Sequence, residues 1–211
     1  MHCLLMDYPL PGFIIDKPRF FPYKAVKMSR HALHILYSRD QIADRVRALA
    51  ERISEDYEGR VPILVGILKG AVVFLADLMR QLTVPIQLDF VRLASYGDSM
   101  ESKGVISITK DLEMPVEGRD LLVVEDIVDS GRTLKYILDD LRTRGARSVK
   151  CCVLLDKRHR REVEVAVDYV GFVMGEGFVV GYGLDWSEDF RHLPDICVVE
   201  VAEGVSASHG A

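Results

Sequence analysis

The sequence predicts an α/β fold, a mainly parallel, twisted sheet flanked by helices, and three observations carry that prediction. Short apolar, β-branched runs alternate along the chain with segments of helical periodicity. The interior runs, such as "PILVGI" and "DLLVVED", are apolar at nearly every position, as strands buried on both faces must be. With 211 residues, 49% hydrophobic and 28% charged, the chain is long enough for one domain with a sizeable core.

The first 27 residues hold four of the eight prolines and scattered aromatics, so they read as irregular or extended, with Met28 as an alternative start. In "YSRDQIADRVRALAERISEDYEG", Ser38 and Gln41 form a capping box, and Gly59 closes the helix. Ile42, Val46, Leu49, Ala50 and Ile53 share one face of it. Residues 62–67 read as a strand and "GAVVFLADLMRQL" as the helix after it. "IQLDFVRLASYG" and residues 105–109 read as two further strands. The polar, glycine-bearing "ASYGDSMESKG" between them reads as a long mobile loop. "DLLVVED" is a buried strand, after which Leu134, Ile137, Leu138 and Leu141 form a helical stripe that stops before Gly145. "SVKCCVLL", "VDYVGFV" and "ICVVEV" complete the strands.

The formal net charge of −5 argues against nucleic acid as the main partner, although residues 157–161 form a local basic cluster. Cys3, Cys151, Cys152 and Cys197 show no CxxC spacing and no histidine at zinc-ligand spacing, which speaks against a disulfide scaffold or zinc site and fits a reducing compartment. Adjacent in an apolar run, Cys151 and Cys152 point to opposite faces of a strand and read as small core residues. No apolar run reaches the roughly 18 residues that span a bilayer, and no basic region leads into a long apolar one at the N-terminus. The expectation is a cytoplasmic protein with no membrane partner.

The stretch "VVEDIVDSGRTL" carries the chemistry. In a parallel sheet ligands bind at the carboxyl ends of strands, and the turn after "DLLVVED" is one such end. Asp129, Ser130, Gly131, Arg132 and Thr133 lead from it into a helix. Backbone N–H groups, the Ser130 and Thr133 hydroxyls and the helix dipole therefore converge on an anion, and Gly131 lets the backbone come close. That half suits a phosphate monoester. Glu125 and Asp126 suit a pair of neighbouring hydroxyls, as in a ribose, or the shell of a magnesium ion. In the bland alternative each acid decorates a solvated loop and Ser130 caps the helix. Three acids ending an apolar strand and running straight into Ser-Gly-Arg-Thr favour the ligand.

This stretch resembles the signature of the type I phosphoribosyltransferases: two acidic residues, two apolar ones, then Asp-Ser/Thr-Gly-x-Thr. "GILKGAVVFLADL", "LLDKR" and "GFVVGYGLDWSEDFRHLPDICVVE" are similar to segments of the hypoxanthine-guanine (6-oxopurine) phosphoribosyltransferases, and together the matches span about residues 38–201. The resemblance implies a phosphoribosyltransferase domain with a small hood region over residues 38–202, an irregular N-terminal extension over 1–37 and a C-terminal tail over 203–211. It also implies transfer of a phosphoribosyl group from phosphoribosyl pyrophosphate to N9 of hypoxanthine or guanine, giving IMP or GMP and pyrophosphate. Magnesium is the implied cofactor, and a homodimer or homotetramer the implied assembly.

By the same resemblance, Glu125 and Asp126 hold the ribose hydroxyls and a magnesium ion, while Ser130, Gly131, Arg132 and Thr133 bind the 5′-phosphate. Asp129 is the general base near N7: a free 6-oxopurine must lose a ring proton as N9 is glycosylated, and a carboxylate can accept it. Lys69 and Gly70 form the pyrophosphate loop, where the peptide between Leu68 and Lys69 can become cis. Arg191 meets the pyrophosphate and Asp185 takes a second magnesium ion. Lys157 donates to the purine O6, favouring 6-oxopurines over adenine, whose amino group accepts poorly. Phe178 stacks on the base, and the Val179 backbone meets its edge. Ser95 and Tyr96, in "ASYGDS", cover the reacting centre and exclude water. Trp186 fills a position where the family has an aromatic residue, and His192 has no implied role. Taken alone, Lys69 is an ordinary exposed lysine, Phe178 a core residue and residues 159–161 a solvated turn.

A rival from another class is a regulator that keeps the phosphoribosyl pyrophosphate pocket, binds nucleic acid and transfers nothing. The acidic net charge and the full set of Asp129, Lys157, Asp185 and Arg191 speak against it. The choice among hypoxanthine, guanine and xanthine is not legible, because Glu176 and Gly177 depart from the family pattern at the purine rim.

Overall fold

The structure is a computed structural model, and it describes residues 31–96 and 105–201. The chain runs β1 (His31–Tyr37), α1 (Arg39–Asp56), β2 (Ile63–Leu68), α2 (Val72–Gln81), β3 (Gln87–Tyr96), β4 (Val105–Lys110) and β5 (Asp120–Val128). It continues through α3 (Arg132–Thr143), β6 (Ser148–Asp156), a 3-10 turn (Arg158–Arg160), β7 (Tyr169–Val173), β8 (Val179–Val180) and β9 (Ile196–Val201).

Six strands form the main sheet in the order β4-β3-β2-β5-β6-β7, parallel throughout except for the antiparallel edge pair β3–β4. Its central strands are apolar at consecutive positions because both faces are covered. Ile42, Ile53, Phe74 and Leu78 of α1 and α2 pack on one face with Cys152, while Leu134, Ile137, Leu138 and Leu141 of α3 pack on the other with Cys151. The two cysteines thus lie on opposite faces, as alternation along a strand requires. The Ser38–Gln41 capping box is formed: Gln41 N–H donates to Ser38 Oγ at 3.3 Å, and Ser38 N–H to Gln41 Oε1 at 2.9 Å. Among the described residues no helix is long and apolar enough to cross a membrane.

Two expectations need correction. Residues 31–37, expected within an irregular extension, form β1, which pairs antiparallel with β9 from His31↔Val201 to Tyr37↔Ile196. With β8 they make a three-stranded sheet, the expected hood. The partner strand lies at the other end of the domain, so no local signal marks β1. Second, Ser95 and Tyr96 are not loop residues: they end β3, paired with Ile106 and Val105 of β4. The connection is correspondingly shorter, and residues 97–104, with 1–30 and 202–211, lie outside the described residues. The Met28 start and the C-terminal tail fall there too.

The topology positions the site. From β2 the chain adds β3 on one side and later β5 on the other, so the crossovers diverge between β2 and β5. Ligands of open α/β sheets bind beyond the carboxyl ends of strands at such a switch point. Here these ends are Leu68-Lys69-Gly70 and Asp126-Ile127-Val128-Asp129.

Candidate active site

β5 runs through Val128, so Glu125 and Asp126 lie within the strand and point to opposite sides. Glu125 borders a small cup of about 130 Å³ together with Ser130, Gly131 and Thr133. Asp126 borders a cleft of about 650 Å³, shared with Asp129, Lys157, Phe178, Val179 and Asp185. Ile127 and Asp129 line both, so the two spaces adjoin.

Gly131, rather than Ser130, is the N-cap of α3, and its φ of +82° is one that a side chain would strain. A Cβ there would also meet Arg161 Cδ at 2.8 Å and the Val163 carbonyl oxygen at 3.1 Å. Ser130 Oγ accepts the Arg132 N–H at 3.4 Å, and the Ser130 carbonyl accepts N–H groups from Glu162 at 3.0 Å and Val163 at 3.2 Å. The cup is therefore clamped by the segment after the 3-10 turn. Arg161, in turn, pairs through Nη2 with the buried Asp156 at 2.5 Å, while its Nη1 is enclosed without a hydrogen-bond partner among the described residues. The Arg132 side chain turns away to Glu162, 2.7 Å distant, and does not line the cup.

Glu125 Oε2 is enclosed and has no hydrogen-bond partner among the described residues. Burial, and then the charge of Asp126, push the Glu125 carboxyl well above the usual range. Burial likewise pushes Asp126 up to about 6, against the opposing effect of the Ile127 N–H, which donates to its Oδ1 at 2.8 Å. At the end of β2 the Leu68–Lys69 peptide is cis. Gly70 lies so close to Asp126 that a Cβ would overlap the carboxylate.

Across the cleft, Lys157 is buried and donates from Nζ to the Gly177 carbonyl at 2.8 Å. Burial lowers its pKa, with Asp129 opposing and Arg160 assisting. Phe178 is half-exposed and tilts against Trp186, ring centroids 5.4 Å apart. Asp129 Oδ1 faces Arg160 Nε at 3.0 Å. Arg191 pairs through Nη2 with Asp185 Oδ1 at 2.7 Å and donates from Nη1 to the Gly183 carbonyl at 2.8 Å. Lys69 pairs with Glu188 at 2.9 Å.

Of the expected site residues, Glu125, Asp126, Asp129, Ser130, Gly131, Thr133, Lys157, Phe178, Val179 and Asp185 line the two adjoining spaces, Gly70 abuts Asp126, and Arg191 pairs with Asp185, whereas the Arg132 side chain turns away. Asp156, Arg160, Arg161 and Glu188 join them unanticipated. Asp156 and Glu188 sit inside "LLDKR" and "GLDWSEDFR", and Arg160 and Arg161 continue the first of these, but no spacing rule marks an ion pair between loops.

Residues 34–186 match the family model of the phosphoribosyl transferase domain. The hypoxanthine-guanine phosphoribosyltransferase of Bacillus subtilis is 42% identical over 176 residues, 83% of this chain and 98% of that protein. The chain belongs to the hypoxanthine-guanine phosphoribosyltransferase family. A crystal structure of the hypoxanthine-guanine phosphoribosyltransferase of Bacillus anthracis superposes with a TM-score of 0.76 at 39% identity, covering 79% of this chain and 98% of that one. The chain is also 48% identical over 166 residues, 79% of its length, to the bifunctional protein TilS/HprT of Listeria monocytogenes, of which it spans 26%. The match to the family model holds the cup and the cleft acids through Asp185, while Arg191 and β9 of the hood lie beyond it.

Proposed function

We propose that this chain transfers the phosphoribosyl group of 5-phosphoribosyl 1-pyrophosphate to N9 of hypoxanthine or guanine, forming IMP or GMP and releasing pyrophosphate. One observation carries the reading: an anion cup at a helix N-terminus adjoins, through Asp129, a cleft holding a buried lysine and a half-exposed aromatic ring. A phosphate monoester fits the first, a flat oxo-bearing base fits the second, and a ribose links them. No observation favours a regulator that binds nucleic acid.

In this reading the 5′-phosphate takes the first-turn N–H groups of α3 and the Ser130 and Thr133 hydroxyls. Lys157 moves its hydrogen bond from the Gly177 carbonyl to the purine O6, and Phe178 stacks on the ring. Asp129 accepts the ring proton lost as N9 is glycosylated. Glu125 and Asp126 flank the sugar from two sides, and their charge stabilises the positive charge that develops on it. Lys69 and Arg191 hold the pyrophosphate.

Magnesium fits the donor set. Glu125, facing the cup, and Asp126, facing the cleft, are buried hard oxygen donors whose charged forms a nearby divalent cation would favour. Among the described residues no three His, Cys, Asp or Glu side chains gather as a cage for a metal, so substrate oxygens and water are left to complete the shell. Bound there and at Asp185, magnesium supplies positive charge to neutralise the pyrophosphate. A homodimer or homotetramer is proposed from the family resemblance. A cytoplasmic location is proposed because Cys151, Cys152 and Cys197 are free thiols in the core.

The test incubates the purified chain with magnesium, phosphoribosyl pyrophosphate and, separately, hypoxanthine, guanine, xanthine, adenine and uracil. Nucleotide from hypoxanthine or guanine is the expected product. No nucleotide from any base contradicts transfer, and nucleotide from adenine or uracil alone contradicts the choice of base.

A further inference from the structure

The two cations that the proposed function gives to pyrophosphate are already engaged by one carboxylate. Glu188 Oε2 stands 2.9 Å from Lys69 Nζ and 3.5 Å from Arg191 Nη2. Lys69 follows β2 directly, whereas Arg191 lies beyond β8, so one side chain joins two segments distant in sequence.

The turn that presents Glu188 is tightly made. Ser187 and Glu188 have φ of +51° and +72°, a region that residues other than glycine seldom occupy. The N–H of Trp186 donates to the Asp189 carbonyl at 3.2 Å, and that of Asp189 to the Trp186 carbonyl at 3.0 Å. The Glu188 N–H donates to Asp185 Oδ2 at 2.8 Å. Yet the Glu188 and Lys69 side chains are 65% and 49% exposed, and an ion pair that open to water adds little to stability. An exposed acid on a disfavoured backbone, facing two cations of a ligand site, points to function rather than folding.

We propose that Glu188 is an internal occupant of the pyrophosphate subsite. Its carboxylate holds Lys69 and Arg191 in the ligand-free protein, yields them to the pyrophosphate of the incoming substrate, and recovers them as pyrophosphate leaves. The proposal rests on the reading of Lys69 and Arg191 as the pyrophosphate-binding cations. Glu188 is a positioning residue, since it acts through them. Pyrophosphate carries several charges and displaces a single carboxylate, but it must break two existing ion pairs to do so. Removing the acid therefore tightens binding and slows release.

The experiment is calorimetric titration of the full chain with magnesium pyrophosphate, comparing wild type with Glu188→Gln, Lys69→Gln and the double variant. Glu188→Gln is expected to lower the pyrophosphate Kd about three- to fivefold and the constant for product inhibition by the same factor, leaving IMP affinity unchanged. In the Lys69→Gln background the gain shrinks. A Kd for Glu188→Gln equal to or weaker than wild type overturns the proposal while the reading of Lys69 stands. A Kd that Lys69→Gln leaves unchanged overturns that reading and this proposal with it. Glu188→Ala, judged by the same Kd, keeps the test decisive if the glutamine variant does not fold.

Discussion

Lys157 Nζ donates to the Gly177 carbonyl oxygen at 2.8 Å from a buried position, so this ammonium already holds an oxygen acceptor of the same kind as a purine O6. Lys157→Gln is expected to lower kcat/KM for hypoxanthine and guanine by about 10- to 100-fold, the worth of a hydrogen bond from a charged donor, and to narrow their margin over adenine. Steady-state kinetics with the three bases check this. Because burial lowers the Lys157 pKa, purine KM should also begin to rise at a pH below the value of about 10.4 typical of lysine, and this alkaline limb should vanish in the variant.

Gly70 lies against Asp126, and a Cβ at that position would overlap the carboxylate. A carboxylate can swing aside, whereas backbone cannot. Gly70→Ala is therefore expected to lower Tm only slightly, while moving the acid proposed to flank the sugar and reducing kcat/KM at least about tenfold. Melting curves and kinetics on the same preparation separate the two effects.

Burial pushes the Asp126 carboxyl up to about 6, while an unfolded aspartate titrates near about 3.9. Between these values the folded chain keeps a proton that the unfolded chain has lost. This residue's contribution to stability accordingly falls as pH rises from about 4 to about 6, by up to about 3 kcal/mol, and is flat above. Asp126→Asn should melt higher than wild type near neutral pH in EDTA and match it near pH 4. Magnesium should raise the wild-type Tm near neutral pH more than that of the variant. A Tm difference independent of pH contradicts the argument.

Much of this was readable in advance because it is local. The Ser38–Gln41 capping box and the Leu134–Leu141 stripe are written in spacings of three and four residues, and the cup follows from a strand running into Ser-Gly-x-Thr. What could not be read is non-local. β1 depends on a partner strand at the far end of the domain, and Arg160 meets Asp129 only because the 3-10 turn folds back over the end of β5. Alternation, a local rule, did foretell that Glu125 and Asp126 face apart. Asp156 illustrates the same limit: it reads as one more strand residue, yet its buried carboxylate pairs with both Arg158 and Arg161.

The central claim is that Asp129 takes the purine's proton at the junction of cup and cleft, and Asp129→Asn tests it most directly because the replacement keeps the shape and removes the basicity. The measurement sets kcat with hypoxanthine beside the Kd for phosphoribosyl pyrophosphate in wild type and variant. In the variant kcat is expected to fall about 100-fold or more while the Kd stays within about threefold. An unchanged kcat, or losses of equal size in both quantities, would contradict it.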